Sequence, residues 1–419
     1  MLRFFYSLIA LAGLLFFLSC DSDVTGPDSP GINGELPRDL TQSEQKLIQA
    51  DNLFSYRVFR ETLAYDDEDN IMISPLSISM ALAMTLNGAE GETYDAMRET
   101  LHLSDMDLEE INEAFGSLIE LLVTVDPRVT LQIANSVWHR ENLQVKEDFR
   151  DRVETHFGAQ IEGLDFSDPA TVEKMNSWVN ENTEGLIPEI IDEIPSHVVM
   201  YLINALYFKG DWLQQFDAED TRPADFYLES GETTEVDMMS QKGRFAIFQS
   251  GEVQLVELPY GDSLFTMTVM MPADEDMPID QFVQEQVNAD NLAEWRSNLH
   301  VSNRESTVRL PKFEMEYEIE YNEILKAMGM EIAFSQSNAN FQGIADTAPQ
   351  NLYIDNVKHK TFITVDEEGT EAAAVTSVGV GVTSMPPQIT FNRPFVFIIH
   401  ERESGTNLFM GRVKNPGLE

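Results

Sequence analysis

Residues 367–384 read Glu367-Glu-Gly-Thr-Glu-Ala-Ala-Ala-Val-Thr-Ser-Val-Gly-Val-Gly-Val-Thr-Ser384, and Pro386-Pro387 follow. After Glu371 no charge appears until Arg393, and between Gly369 and Ser384 no apolar side chain is larger than valine. The stretch has period two. Thr370, Ala372, Ala374, Thr376, Val378, Val380 and Val382 share one face; Glu371, Ala373, Val375, Ser377, Gly379, Gly381 and Thr383 share the other. Small side chains and valines on one face, small and polar ones on the other, suit a strand that slots between two existing strands over a packed core. Extended, residues 370–382 reach roughly 43 Å. Two glycines and three alanines weaken a permanent strand, and the regular valines are foreign to a flexible linker. The stretch reads as chain that is loop in one state and strand in another.

The rest of residues 41–419 reads as one α+β domain. Thr41-Gln-Ser-Glu44 has the spacing of a capping box, and Leu47, Phe54 and Val58 recur at helical spacing to about Leu63. Ser74-Pro75-Leu76-Ser77 opens a second helix, apolar on every side from Ile78 to Leu86 and therefore buried. Strands are expected at 129–138 and 198–208 with a helix over 171–183 between them. Short strands with turns at Gly231 and Gly261-Asp262 fill 226–272, including a doubly buried strand over 264–271. A helix is expected over 277–299, a strand over 307–313, a short helix over 321–328, and strands over 353–365, 389–400 and 408–413. Helices precede strands, and no linker or repeat divides the domain, which favours α+β over alternating βαβ units.

The N-terminus is different. Met1-Leu2-Arg3, an apolar run from Phe4 to Leu18 and then Ser19-Cys20 have the parts of a secretory signal. The segment resembles a bacterial lipoprotein signal, cleaved after residue 19 to leave Cys20 lipidated. The alternative is an uncleaved N-terminal anchor. Both place the body outside the cytoplasm, periplasmic or at the cell surface; secretion is the further alternative. Residues 20–40, rich in Gly, Pro and Asp, read as a flexible tether.

Asp and Glu total 72 against 27 Lys and Arg, a formal net charge of -45. Such a surface argues against nucleic-acid binding and against docking on anionic lipid through basic residues. Solubility explains it more simply than steering of a basic partner. Cys20 is the only cysteine, so disulfides and cysteine-based metal clusters are excluded. The seven histidines form no metal-binding pair at helical spacing, and no nucleophile elbow, zinc-protease, P-loop or dinucleotide motif occurs. The residues point away from an enzyme and imply no cofactor.

Several segments are similar to one family. Glu367-Glu-Gly-Thr-Glu-Ala-Ala-Ala374 resembles the serpin reactive-loop hinge, and Phe391-Asn-Arg-Pro-Phe395 with Phe409-Met-Gly-Arg-Val413 resembles the serpin C-terminal signature. Residues 70–93 and Asn204-Ala-Leu-Tyr-Phe-Lys-Gly-Asp-Trp212 are similar to the family's second helix and third central strand. The order of the segments is the family's order.

The resemblance implies one domain with three β-sheets, eight or nine helices and an exposed loop near 367–387. It implies a monomer that acts as a suicide substrate of a serine protease. The hinge would be Glu367, Gly369, Thr370, Glu371, Ala372, Ala373 and Ala374. Ser74, Ser77, Asn204 and His359 would form a polar cluster where strands part, with Trp212 where the loop begins to insert. Counting from the hinge and from Pro386-Pro387 places the reactive bond at Thr383–Ser384, with Val382 before it. Small β-branched residues there suit an elastase-like or subtilisin-like protease. The rival reading is a non-inhibitory surface lipoprotein of the same fold with a binding or chaperone role.

Overall fold

The computed structural model describes residues 34–301, 305–349, 351–370 and 388–418. Helix α1 (Gln42–Tyr65) starts as expected: the Glu44 N–H donates to the Thr41 hydroxyl at 3.2 Å, and the Thr41 N–H donates to the Glu44 carboxylate at 2.7 Å. A short strand β1 (Asn70–Ile73) leads to α2 (Pro75–Leu86), capped by the Ser74 hydroxyl and buried at every residue but Ala81. Then come α3 (Gly91–Thr100), α4 (Leu108–Thr124), β2 (Val129–Arg140), α5 (Glu147–Phe157), β3 (Gln160–Leu164) and α6 (Ala170–Asn182).

The strand-rich half follows with β4 (Met200–Asp211), β5 (Arg222–Tyr227), β6 (Thr233–Gly243), β7 (Ala246–Gln249), β8 (Val253–Pro259) and β9 (Phe265–Pro272). The single helix expected over 277–299 is two, α7 (Ile279–Gln286) and α8 (Ala289–Ser297). Between them Asn288 is extended, at φ −150° and ψ 170°, and its side chain caps α8 by accepting the Asn291 N–H. Next are β10 (His300–Val301), β11 (Ser306–Pro311), β12 (Phe313–Glu320) and α9 (Asn322–Leu325). Strand β13 (Lys358–Val365) begins five residues later than expected. Then come β14 (Gly369–Thr370), β15 (Gln388–Thr390), β16 (Phe395–Glu401) and β17 (Asn407–Val413).

One sheet runs β1-β17-β16-β9-β8-β7-β10, and every residue of β9, β16 and β17 is buried. A second runs β15-β11-β6-β5. The third is in two pieces: β14-β4-β2-β3 and the antiparallel pair β12-β13. Helix α6 and the chain after it cover the outer face of the larger piece through Trp138, Met175, Val179 and Ile203. Helix α2 packs on β4 from within.

The last seven residues of the segment expected to be a tether lie against the body. Leu36 and Leu40 pack on the core, and the Arg38 guanidinium grips both oxygens of the buried Glu44 carboxylate at 2.5 and 2.8 Å. Residues 1–19 and Cys20 lie outside the described residues.

Candidate functional site: the split in the main sheet

The divided sheet sets Ser74, Ser77, Asn204 and His359 along one cavity and Gly369 and Thr370 at one end of β4. Strand β13 ends at Val365, and a reverse turn returns the chain as β14. In that turn the Asp366 N–H donates to the Gly369 carbonyl at 3.1 Å. The Asp366 carboxylate accepts the N–H groups of Glu368 and Gly369 at 2.9 and 3.2 Å. Strand β14 then pairs antiparallel with β4, Gly369 opposite Asp211 and Thr370 opposite Gly210. Since β14 reverses β13 and opposes β4, strands β4 and β13 run parallel. Between them lies a cavity of about 1020 Å³, walled by Leu202 and Asn204 on one side and His359 and Thr361 on the other, with Ser74 and Ser77 at its floor.

At the closed end the turn is held by many contacts. The Trp212 backbone N–H donates to the Glu368 carbonyl at 2.8 Å, its indole N–H donates to the Asp366 carbonyl at 2.9 Å, and the Phe216 N–H donates to the Glu367 carbonyl at 2.8 Å. The indole stacks on the Tyr260 ring, centroids 4.3 Å apart. The Glu367 carboxylate accepts from the Thr221 hydroxyl at 2.7 Å and pairs with Lys312 at 2.8 Å. Partial burial opposes its charge, but Lys312 and Thr221 outweigh that and hold the carboxyl below the ordinary glutamate range. Gly369 sits at φ 155°, and a Cβ there would overlap the Gly210 carbonyl and lie 2.7 Å from the Asp211 Cα. Only glycine permits this close approach of backbones.

Along the cavity, the Ser74 N–H donates to Nε2 of His359 at 2.9 Å, and the Ser77 N–H donates to the Ser74 hydroxyl at 3.3 Å. Burial pushes His359 down to about 3, so the ring is neutral and free to accept. Ser74, Ser77 and His359 are therefore one group. Asn204 lines the same cavity but turns to β2, where its amide donates to the Asn135 side-chain carbonyl at 2.8 Å. Its own side-chain oxygen finds no partner among the described residues. Trp212 belongs to the turn at the closed end.

Sequence reading missed Tyr260, Lys312, Thr221, Asn135 and Asp366. Nothing local marks Tyr260, Lys312, Thr221 or Asn135, because each gains its role from a partner far away in the chain; Asp366 instead caps its own turn, a pattern local to residues 366–369. Glu371, Ala372, Ala373, Ala374, Val382, Thr383 and Ser384 lie outside the described residues.

A sheet parted between two parallel strands, with a third strand of two residues at one end of the gap, sets this fold apart. A family model described as serpin (serine protease inhibitor) matches residues 49–416. The chain belongs to the serpin family. Heparin cofactor 2 of Rattus norvegicus is 34% identical over 370 residues, covering 86% of this chain and 75% of the relative. The native-state structure of tengpin, a thermophilic serpin, superposes with a TM-score of 0.82 at 31% identity, covering 90% of this chain and 95% of that one. Human thyroxine-binding globulin complexed with its ligand superposes at 0.80 and 28% identity, covering 89% and 99%.

Proposed function

We propose that this protein is an inhibitory serpin, a suicide substrate that traps its protease by filling the split with its own cleaved loop. The observation that carries the reading is the Thr370–Gly210 pair: the strand already has its first two residues in place. Continued residue by residue, that antiparallel register sets Thr376 opposite Asn204 and Val380 opposite Met200. The protease serine attacks the Thr383 carbonyl, the bond to the Ser384 nitrogen breaks, and the acyl group stays on the enzyme. The freed end of the loop then enters the split. New backbone hydrogen bonds with β4 and β13, and burial of Val378 and Val380, stabilise the inserted state. The uncleaved state is held by a barrier, since its loop is tied at both ends.

Val382-Thr383 presents small β-branched side chains, which suit shallow apolar pockets. The target is an elastase-like or subtilisin-like serine protease, met by a monomer. Cys20 carries lipid and holds the body outside the cytoplasm. Replacing Cys20 by Ala should release the protein from the membrane fraction.

Mixing the protein with pancreatic elastase or subtilisin tests the inhibitory reading. A covalent complex that survives boiling in detergent supports it. Cleavage near Thr383 with no complex, and no gain in heat resistance of the cut protein, overturns it in favour of a non-inhibitory surface protein of the same fold.

A further inference from the structure

The open end of the split is crossed by one ion pair and one histidine–carboxylate hydrogen bond. The chain between α6 and β4, residues 183–199, roofs the cavity with Ile187, Ile190 and Ile191. Asn176 of α6 fastens it, accepting the N–H groups of Ile190 and Ile191 at 3.0 Å and donating to the Ile191 carbonyl at 2.7 Å. Arg140 of β2 holds its last part through the carbonyls of Val198 and Ser196 at 2.7 and 3.0 Å. Both of these anchors belong to the β4 side.

Two other contacts reach across to the β13 side. Asp192 pairs with Lys358 at 3.0 Å, and His197 pairs with Asp355 at 2.9 Å. Lys358 opens β13 and Asp355 stands three residues before it. Lys358 is also braced from behind by Glu318 of β12 at 2.7 Å, so its ammonium is held in place for Asp192. Both ties lie at the end opposite the Thr370–Gly210 pair. The register that starts there brings Val378 opposite Leu202 and Val380 opposite Met200, in the stretch that the ties span.

We propose that the 183–199 segment is a clasp, and that Asp192–Lys358 and His197–Asp355 set how fast β4 and β13 part and the split fills. The inference builds on the inhibitory reading for its consequence but not for its test. Its four side chains are positioning residues, since none touches the reacting atoms. Asp192 and His197 are largely exposed, so each tie is weak alone. Such a strength suits a clasp, which must hold at rest and yield to an advancing strand. If it holds too long, water reaches the acyl-enzyme first and the inhibitor is consumed as a substrate.

The test uses the full-length protein, its Asp192→Asn/Asp355→Asn variant and both single variants. Two readouts need no protease: amide exchange at residues 200–204 and 358–361, and the uptake rate of a labelled synthetic peptide of residues 370–382. The double variant should exchange and take up peptide about two- to tenfold faster, with the single variants between and Asp192→Glu near the unaltered protein. Raising salt from 0.05 to 1 M, as test conditions, should speed uptake by the unaltered protein more than by the single and double variants, which share only the general screening of repulsion between the acidic peptide and the acidic body. That arm still decides the matter if the double variant folds poorly. Unchanged uptake in the single variants together with the same salt response in them as in the unaltered protein overturns the clasp. Complex formation with elastase or subtilisin is scored on the same samples. Faster uptake without any complex keeps the clasp and removes the inhibitory reading. Complexes with unchanged uptake do the reverse.

Discussion

The hydroxyls of Thr370 and Tyr260 lie 3.0 Å apart in the buried interior, directly beneath the stacked Trp212 ring. This contact settles which way the strand faces. Thr370 points inward, and by the alternation of a strand so would Ala372, Ala374, Thr376, Val378 and Val380. The inner face is the apolar one.

Thr370→Arg should therefore block the first step of filling. An unpaired guanidinium against Tyr260 costs several kcal/mol, about enough to suppress insertion outright. Titration against elastase or subtilisin should show at least a tenfold drop in complex yield with loop cleavage intact. Undiminished complex formation would sink the insertion mechanism.

Gly369→Ala acts one residue earlier and through the backbone. The new methyl meets the Gly210 carbonyl, so β14 must back away from β4. The strain is of order 1–3 kcal/mol. More inhibitor molecules should be consumed per protease trapped, and the melting temperature of the intact protein should fall.

Thr383→Arg should redirect the target. A long cationic side chain at the reactive bond suits a deep acidic pocket, so trypsin should form complexes and elastase should lose most of its own. Second-order rate constants against both enzymes measure the exchange, expected at tenfold or more in each direction. Trypsin complexes without the substitution would move the reactive bond elsewhere.

The pH dependence of stability follows from His359. Its ordinary value is 6.5 and burial lowers it to about 3, so the unfolded state takes the proton first. Stability from this group is complete above about 6.5 and declines as pH falls toward 3, by about 1.4 kcal/mol per unit. Urea unfolding from pH 4 to 8 should show the slope, and His359→Gln should reduce it by one proton. His400, also lowered by burial, keeps its own share.

Much of this was legible where local chemistry and final structure agree. The Thr41–Glu44 capping box and the all-round apolar α2 depend on neighbours within one turn, and both formed as read. Strand β12 was legible and went unread. Its Phe-Glu-Met-Glu-Tyr-Glu-Ile-Glu alternates buried and exposed without a break, seven residues past the expected strand end at Phe313. Helix α5 offered less, with only Phe149, Val153 and Phe157 buried among charges. The Asn288 break could not be seen because Asn is also tolerated within a helix. Tyr260 and Lys312 were out of reach for another reason. Their partners Thr370 and Glu367 lie far along the chain, and only folding brings them together.

The two residues of β14 also set a destination. Filling β4 from Gly210 back to Met200 moves the chain ten residues along the body, about 33 Å at the rise of a strand. Whatever hangs from Thr383 would be carried from one pole of the molecule to the other. On the proposed mechanism the journey would run one way, because each step would add a rung behind it. If the loop fills the split as proposed, a copy that has made the trip has no second berth to offer, so the supply of this protein, rather than its turnover, would limit how much protease it can silence.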